Sequence, residues 1–308
     1  VKTVTTLDTL RAELDAARLA GHSIGLVPTM GALHEGHLSL IDRSVAENGV
    51  TVVTIFVNPT QFRPGEDLDQ YPRPIEDDTA LAAERGADIL FTPDASEVYP
   101  DGFATTVSIR GITEKLCGDP SRRGHEHFDG VTTVVAKLFN MVAPTRAYFG
   151  QKDAQQVAVI RKMVRDLDFR VDVVASPIVR EADGLAMSSR NLYLSAEERV
   201  RALALSRALQ DAAAALADGQ RDAAALSAIA RMQLADTDEL EYFELVDPDT
   251  LEPVTTVERP VLAAVCARVG KTRLIDNVIL EPYPASQETS NPTPSKLNTI
   301  QMDQGAAA

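Results

Sequence analysis

His34 and His37 stand three residues apart in the stretch Gly25-Leu26-Val27-Pro28-Thr29-Met30-Gly31-Ala32-Leu33-His34-Glu35-Gly36-His37-Leu38. Imidazoles so spaced can hold a metal, move a proton or donate hydrogen bonds to an anion. Zinc suits them poorly. The zinc-protease spacing on a helix is H-E-x-x-H, whereas a helix-breaking glycine, Gly36, stands inside this shorter string. The P-loop is absent too: Gly31 and Gly36 have its glycine spacing, but His37-Leu38 follows instead of Lys and Ser/Thr. An anion suits them better. Ser23 to Val27 reads as a buried strand, which Pro28 should end for want of an N–H. From His37 to Glu47, Leu38, Ile41 and Val45 share one helical face, with Leu40 at its edge. Asn48-Gly49 is a fitting stop. The histidines thus sit at a helix mouth, where unpaired N–H groups and the positive dipole end favour negative charge. Gly31 and Gly36 let a ligand approach the backbone. The set suits a triphosphate that gains charge in a transition state. Two polar turn residues before a surface helix would be the bland account of a single histidine here. The pair, both glycines and the preceding strand favour the anion site.

Other residues able to do chemistry lie at similar junctions. Asn58 and Gln61 follow the run Thr51 to Val57, with Pro59 ending the strand, so both amides are placed to face a ligand, although their spacing describes ordinary loop polarity equally well. Lys152-Asp153 lies between a short strand ending at Gly150 and a helix for which Asp153 is a good N-cap. A lysine there can reach phosphate oxygens and an aspartate ribose hydroxyls; a solvated ion pair at a helix start is the plain alternative. Arg180 to Asn191 holds small residues, the hydroxyls of Ser188 and Ser189, and Arg190. It reads as a mobile phosphate-contacting loop, although its composition alone describes an ordinary interdomain turn. Glu66 to Arg73 and Glu76-Asp77-Asp78 form an acidic patch, mostly solvated surface and helix N-terminal charge.

The elements that must carry these residues alternate. Leu7 to Ala20 reads as an amphipathic helix, Thr51 to Val57 as a strand buried on both faces, Ile75 to Arg85 as a helix closed by Gly86, and Ala87 to Phe91 as a strand. Ala104 to Ile109 could be a strand, and Thr132 to Met141 is a helix with Val134, Val135, Leu138 and Met141 inward. Val171 to Val179 is a further strand. Such alternation indicates right-handed βαβ units and a doubly wound α/β parallel sheet, Rossmann-like, whose ligands bind at the carboxyl ends of the strands. From Ser195 the character changes. Ser195 and Glu198 open a capping box for a long helix to about Ala217, and a second helix covers Ala223 to Leu234. Leu240–Val246, Val261–Arg268 and Ile275–Leu280 read as strands of a smaller α+β unit able to cover the first as a lid. The expected division is residues 1–179, 180–283 and a disordered polar tail, 284–308.

Totals narrow the partners. The chain has 308 residues, 44% hydrophobic and 24% charged, with a net charge of −15. That charge argues against a nucleic-acid or anionic-membrane surface and leaves an anion site dependent on local cations. It also suggests that a metal ion, Mg²⁺, travels with the nucleotide. No apolar run approaches the roughly 18–20 residues of a membrane span. Cys117 and Cys266 make no C-x-x-C and read as free thiols in a reducing cytoplasm.

H-x-G-H after a first strand resembles the nucleotidylyltransferase superfamily. The fuller string P-T-M-G-A-L-H-E-G-H-L resembles the pantothenate synthetase family (pantoate–β-alanine ligase, AMP-forming). F-V-N-P-T-Q-F, F-G-Q-K-D-A-Q-Q and D-G-L-A-M-S-S-R-N match that family in order, and the likeness covers about residues 1–283. It implies that ATP lies along Thr29, Met30, Gly31, Ala32, Leu33, His34, Glu35, Gly36 and His37, with Gly150, Gln151, Lys152 and Asp153. Val179 and Met187 would line the adenine, and Ser188, Ser189 and Arg190 the phosphates. Gln61 and Gln156, with Asn58 nearby, would hold pantoate; an amide that donates to a carboxylate and accepts from a hydroxyl suits a hydroxy acid. Asp77 and Asp78 would lie near magnesium. His37, His34, Lys152 and Arg190 become the catalytic set for adenylylating pantoate and passing it to β-alanine. The implied assembly is a homodimer without nucleic-acid or membrane partners. The family's R-P-G-H-F-x-G-V stretch is altered: Arg123 replaces Pro and His125-Glu126 looks inserted, so no site follows from it. H-x-G-H alone would equally fit an enzyme adenylylating another small acid or a phosphate ester. A nucleotide-binding module without turnover would carry the same phosphate ligands.

Overall fold

The computed structural model describes residues 1–62 and 68–282. Part of the acidic patch, Glu66-Asp67, and the tail 284–308 lie outside the described residues. The chain runs β1 (Lys2–Val4), α1 (Leu7–Leu19), β2 (Ile24–Thr29), α2 (Glu35–Glu47), β3 (Val50–Ile55), α3 (Ile75–Glu84), β4 (Ile89–Phe91) and α4 (Ala95–Val98). Next come α5 (Glu126–Val142), β5 (Arg146–Gly150), α6 (Ala154–Asp166), β6 (Asp172–Ser176), α7 (Ala196–Ala217), α8 (Ala223–Gln233), β7 (Glu239–Val246), β8 (Val261–Val269) and β9 (Thr272–Leu280).

The first six strands form one parallel sheet in the order β1-β4-β3-β2-β5-β6. Side chains alternate along a strand. Leu26, Val52 and Ile89 accordingly enter one apolar cluster, and their successors Val27, Val53 and Leu90 another. Burial on both faces is what a parallel sheet covered by crossover helices requires, and this is a doubly wound, Rossmann-like sheet. The strand order turns back between β2 and β5. Their pairing is brief: only Gly25–Arg146 and Leu26–Ala147 are in register. Beyond Leu26 the two strands diverge, and a crevice opens at their carboxyl ends.

That divergence explains why Pro28 does not end β2, as the sequence suggests. The Phe56 N–H donates to the Thr29 carbonyl, so Thr29 faces β3 and Pro28 faces the opposite side. There β5 has already left, and no ladder bond misses the proline N–H. Ala104 to Ile109, expected as a strand, has no regular structure. Its backbone is taken by α5: Val107 N–H donates to Thr133 Oγ1, and Thr132 Oγ1 donates to the Val107 carbonyl. The edge strand β1 carries too few residues for a periodic signal. Val45, expected inward, is exposed, and Ser44 is buried in its place, hydrogen-bonded to Thr51.

β7, β8 and β9 form an antiparallel sheet. Alternation again separates two faces. Phe243, Leu245, Ala263 and Val265 pack with α7 and α8 residues, whereas Tyr242, Val246, Leu262 and Ala264 join the cluster beneath the parallel sheet. The capping box read at Ser195 and Glu198 is present.

Candidate active site

The turn after β2 is left-handed at Gly31 (φ +87°) and at Ala32 (φ +51°). It delivers His34 as the N-cap of α2, two residues earlier than the sequence places the helix start. The Gly36 N–H donates to His34 Nδ1 at 3.1 Å, and the His34 N–H to His37 Nδ1 at 3.4 Å. Each ring has thus spent Nδ1 as an acceptor. In the neutral form each carries its proton on Nε2, the only nitrogen left to donate. The ring centroids are 4.1 Å apart. Burial is the main cause of the lowered pKa of both rings. His37 is brought down to about 3, with the charges of His34 and Lys152 adding to the effect. His34 is lowered by burial and Lys152, against Asp153 and Glu181. At neutral pH both are uncharged N–H donors.

A cavity of about 250 Å³ lies in the crevice between β2 and β5. It gathers most of the residues read from sequence: Thr29, Met30, His34, Gly36 and His37 from the first turn, and Gln61 after β3. Gly150, Lys152, Asp153 and Gln156 come from the end of β5, and Val179, Met187, Ser188, Ser189 and Arg190 from the connection to α7. Lys152, Asp153, Gln156, Ser188 and Arg190 also line a larger chamber of about 1430 Å³ that reaches the antiparallel sheet. Asp153 does sit at the N-cap of α6, but its side chain makes no capping bond and is left to the cavity.

The loop read as mobile is pinned at its base. Arg180 pairs with buried Asp276 of β9 through two nitrogens, at 2.6 and 3.0 Å, and Asn191 donates to Glu181 at 2.7 Å. The neighbouring Asn277 side chain donates to the carbonyls of Gln151 and Lys152, at 3.0 and 2.9 Å. The small sheet thereby holds the two segments that carry Lys152 and Arg190.

Several expected site residues are elsewhere. Glu35 points away, to Arg85 at 2.8 Å. Gln151 does not line the cavity and is held through its carbonyl. Gly31, Ala32 and Leu33 form the back of the turn, not its face. Ala32 N–H and Leu33 N–H donate to the two oxygens of Asp78, at 2.8 and 2.7 Å. Asp78 is buried with its pKa raised by that burial, opposed by the two amide bonds, while its helical neighbour Asp77 is exposed. The two carboxylates do not converge, and the magnesium role read for them does not fit. Among the described residues no group of three or more His, Cys, Asp or Glu could hold a metal ion. Asn58 does not face the cavity either; it is fully buried, with its amide saturated by protein. Conversely, His127 lines both cavities, and its Nδ1 lies 2.9 Å from the Gln61 carbonyl oxygen. Counting H-F-x-G-V from its carboxyl end would have singled out His127, since the insertion lies before it.

The model of the pantoate–β-alanine ligase family matches residues 2–279. The chain belongs to the pantoate–β-alanine ligase family. Among pantoate–β-alanine ligase relatives, the pantothenate synthetase of Acetivibrio thermocellus is 53% identical over 283 residues, 91% of this chain and all of that one. That of Clostridium novyi is 52% identical over 277 residues, covering 89% and 97%. The crystal structure of pantothenate synthetase from Thermus thermophilus superposes with a TM-score of 0.86 at 46% identity, covering 92% of this chain and 100% of that one. A pantoate–β-alanine ligase from Francisella tularensis, complexed with beta-gamma ATP and β-alanine, superposes at 0.75 with 31% identity, at the same coverages.

Proposed function

We propose that the chain condenses pantoate with β-alanine to pantothenate at the expense of ATP. A pantoate carboxylate oxygen attacks the α-phosphorus, and the bond to the β-phosphate bridge breaks, giving pantoyl adenylate and pyrophosphate. The amine of β-alanine then attacks the acyl carbon, AMP leaves, and the nitrogen sheds its proton. The observation that carries this reading is the pair of neutral Nε2–H donors facing Lys152 and the glutamines across one crevice. No protein nucleophile is needed. Catalysis is alignment plus stabilisation of phosphoryl charge. His37 donates to the oxygen that gains charge, with His34, Lys152 and Arg190 beside it. Ser188 and Ser189 hold phosphate, Val179 and Met187 the adenine, and Asp153 the ribose. Gln61 and Gln156 fix pantoate.

Magnesium enters on the phosphates of ATP as part of the substrate. Residues 180–283 act as a lid over 1–179 and keep water from the adenylate. The enzyme works as a cytoplasmic homodimer; its two free thiols suit a reducing compartment, and the family resemblance supports the dimer. No helix among the described residues is long and apolar enough to cross a membrane. The test is pyrophosphate release from ATP and Mg²⁺ with pantoate but without β-alanine. A burst near one equivalent, then turnover and AMP on adding β-alanine, is the expected result. No release with pantoate, but release with another acid, would overturn the substrate.

A further inference from the structure

We propose that Asn58 sets the hydrogen-bonding polarity of Gln61, so that the crevice offers its acid substrate an amide donor and no acceptor at that point. The inference rests on the reading that Gln61 meets pantoate, and deepens it. Oxygen and nitrogen of a side-chain amide look alike, so their placement must follow from partners of known polarity. Asn58 has two. The Thr60 backbone N–H, which can only donate, lies 3.3 Å from Oδ1. The Gly130 carbonyl, which can only accept, lies 3.1 Å from Nδ2. Main chain on both sides therefore fixes the Asn58 amide, and the Tyr99 and Thr60 hydroxyls, at 2.8 and 2.9 Å, add donors to the same oxygen.

The remaining Nδ2–H of Asn58 reaches the Gln61 amide at 2.9 Å. A donor there requires an oxygen opposite, so Oε1 of Gln61 faces Asn58 and its NH₂ faces away. Gln61 lines the cavity, and its Nε2 has no protein partner among the described residues. It presents two N–H groups to whatever binds there, and it accepts nothing. A ligand oxygen with free lone pairs, carboxylate or hydroxyl, satisfies it; a ligand N–H does not. Gly130 makes the arrangement possible. A Cβ there would lie 2.3 Å from the Thr60 carbonyl oxygen and 3.0 Å from the Gln61 nitrogen, so only glycine lets α5 bring its carbonyl to Asn58.

Asn58 is thus a positioning residue, and the experiment is Asn58→Asp. The carboxylate still accepts from Thr60 and Tyr99 but cannot donate to Gln61. The Gln61 amide then turns, presenting oxygen to the crevice. The expected result is pantoate affinity weaker by on the order of 30-fold or more, the scale of setting a site's polarity against its ligand, with ATP affinity little changed and the melting temperature lowered, since the buried carboxylate also meets the Gly130 carbonyl. Adding Gln61→Ala to Asn58→Asp should cost pantoate less than Gln61→Ala costs the parent, since one group acts through the other. Unchanged pantoate affinity in Asn58→Asp, or full additivity in the double variant, overturns the proposal. Should Asn58→Asp fail to fold, the unsubstituted protein decides by NMR. The Gln61 NH₂ resonances, identified by their loss in Gln61→Glu, should shift when pantoate is added; resonances that stay put overturn it. Failure of the functional reading would look different, since pantoate would then release no pyrophosphate from the unsubstituted enzyme.

Discussion

Both imidazoles give Nδ1 to the main chain, and that decides how they can act. At neutral pH they are available only as neutral Nε2–H donors, unable to abstract a proton through the nitrogen already bonded to an amide. His37→Ala should lower the rate of adenylate formation by roughly 10²–10³, the effect of losing one donor aimed at developing oxyanion charge. Single-turnover pyrophosphate release is the measurement, and an unchanged rate would refute the role. The same burial has a consequence for stability. His37 titrates near 3 in the fold and near 6.5 when free of it. Between those values the unfolded chain holds a proton that the folded chain lacks. Stability is therefore complete above about 6.5 and declines as the pH falls towards 3. Urea midpoints at pH 7 and pH 5 should differ less in His37→Gln than in the parent. The histidine pair was legible in sequence because spacing, glycines and a strand converge on it. Asn58 misled for a physical reason: a polar residue in a strand-end loop looks ligand-facing, and only the approach of α5, seventy residues away in sequence, shows that its amide is consumed.

An element can serve the site without touching its ligand, and α3 does. Its Asp78 caps the amides of Ala32 and Leu33, holding a turn with two successive left-handed residues. A Cβ on Gly31 would come within 2.9 Å of an Asp78 oxygen, so the glycine and the carboxylate define one another's position. Asp78→Ala would leave two amides without their partner, each costing on the order of 1–3 kcal/mol where buried, and His34 would lose its fixed approach. We expect kcat to fall at least tenfold with an unchanged Mg²⁺ requirement, on the scale of about 1.4 kcal/mol per decade. A raised Mg²⁺ requirement with kcat recovered at saturating metal would return Asp78 to the metal. Sequence could not distinguish these, because a carboxylate pair beside a nucleotide motif is described equally by ligation and by anchoring. Helices with clear caps, such as α7, were legible to within a residue. α5 was not: it starts at Glu126, six residues before its apolar stripe suggested, inside the segment altered by insertion.

At the scale of the whole chain, the two sheets share a core. Tyr242, Val246, Leu251 and Leu262 pack in the same cluster as Leu26 and Val52. Apolar area common to both halves couples their unfolding. We expect one transition in urea, superimposable by circular dichroism and tyrosine fluorescence, and no stable fold from residues 1–179 alone; two separated transitions would contradict it. The doubly wound sheet was readable from strand–helix alternation, and the shift at Ser195 from the loss of that alternation. The shared core was not, since the strands of the small sheet alternate apolar residues on both faces and a sequence does not say what covers the second. The early parting of β2 and β5 has a consequence for affinity. The crevice is formed by strand direction, so its walls are the carboxyl ends of β2 and β5 themselves. The ladder bonds that join these two strands lie on the amino-terminal side of it, and a ligand seated there competes with none of them; the frame of the site is inherited from the sheet.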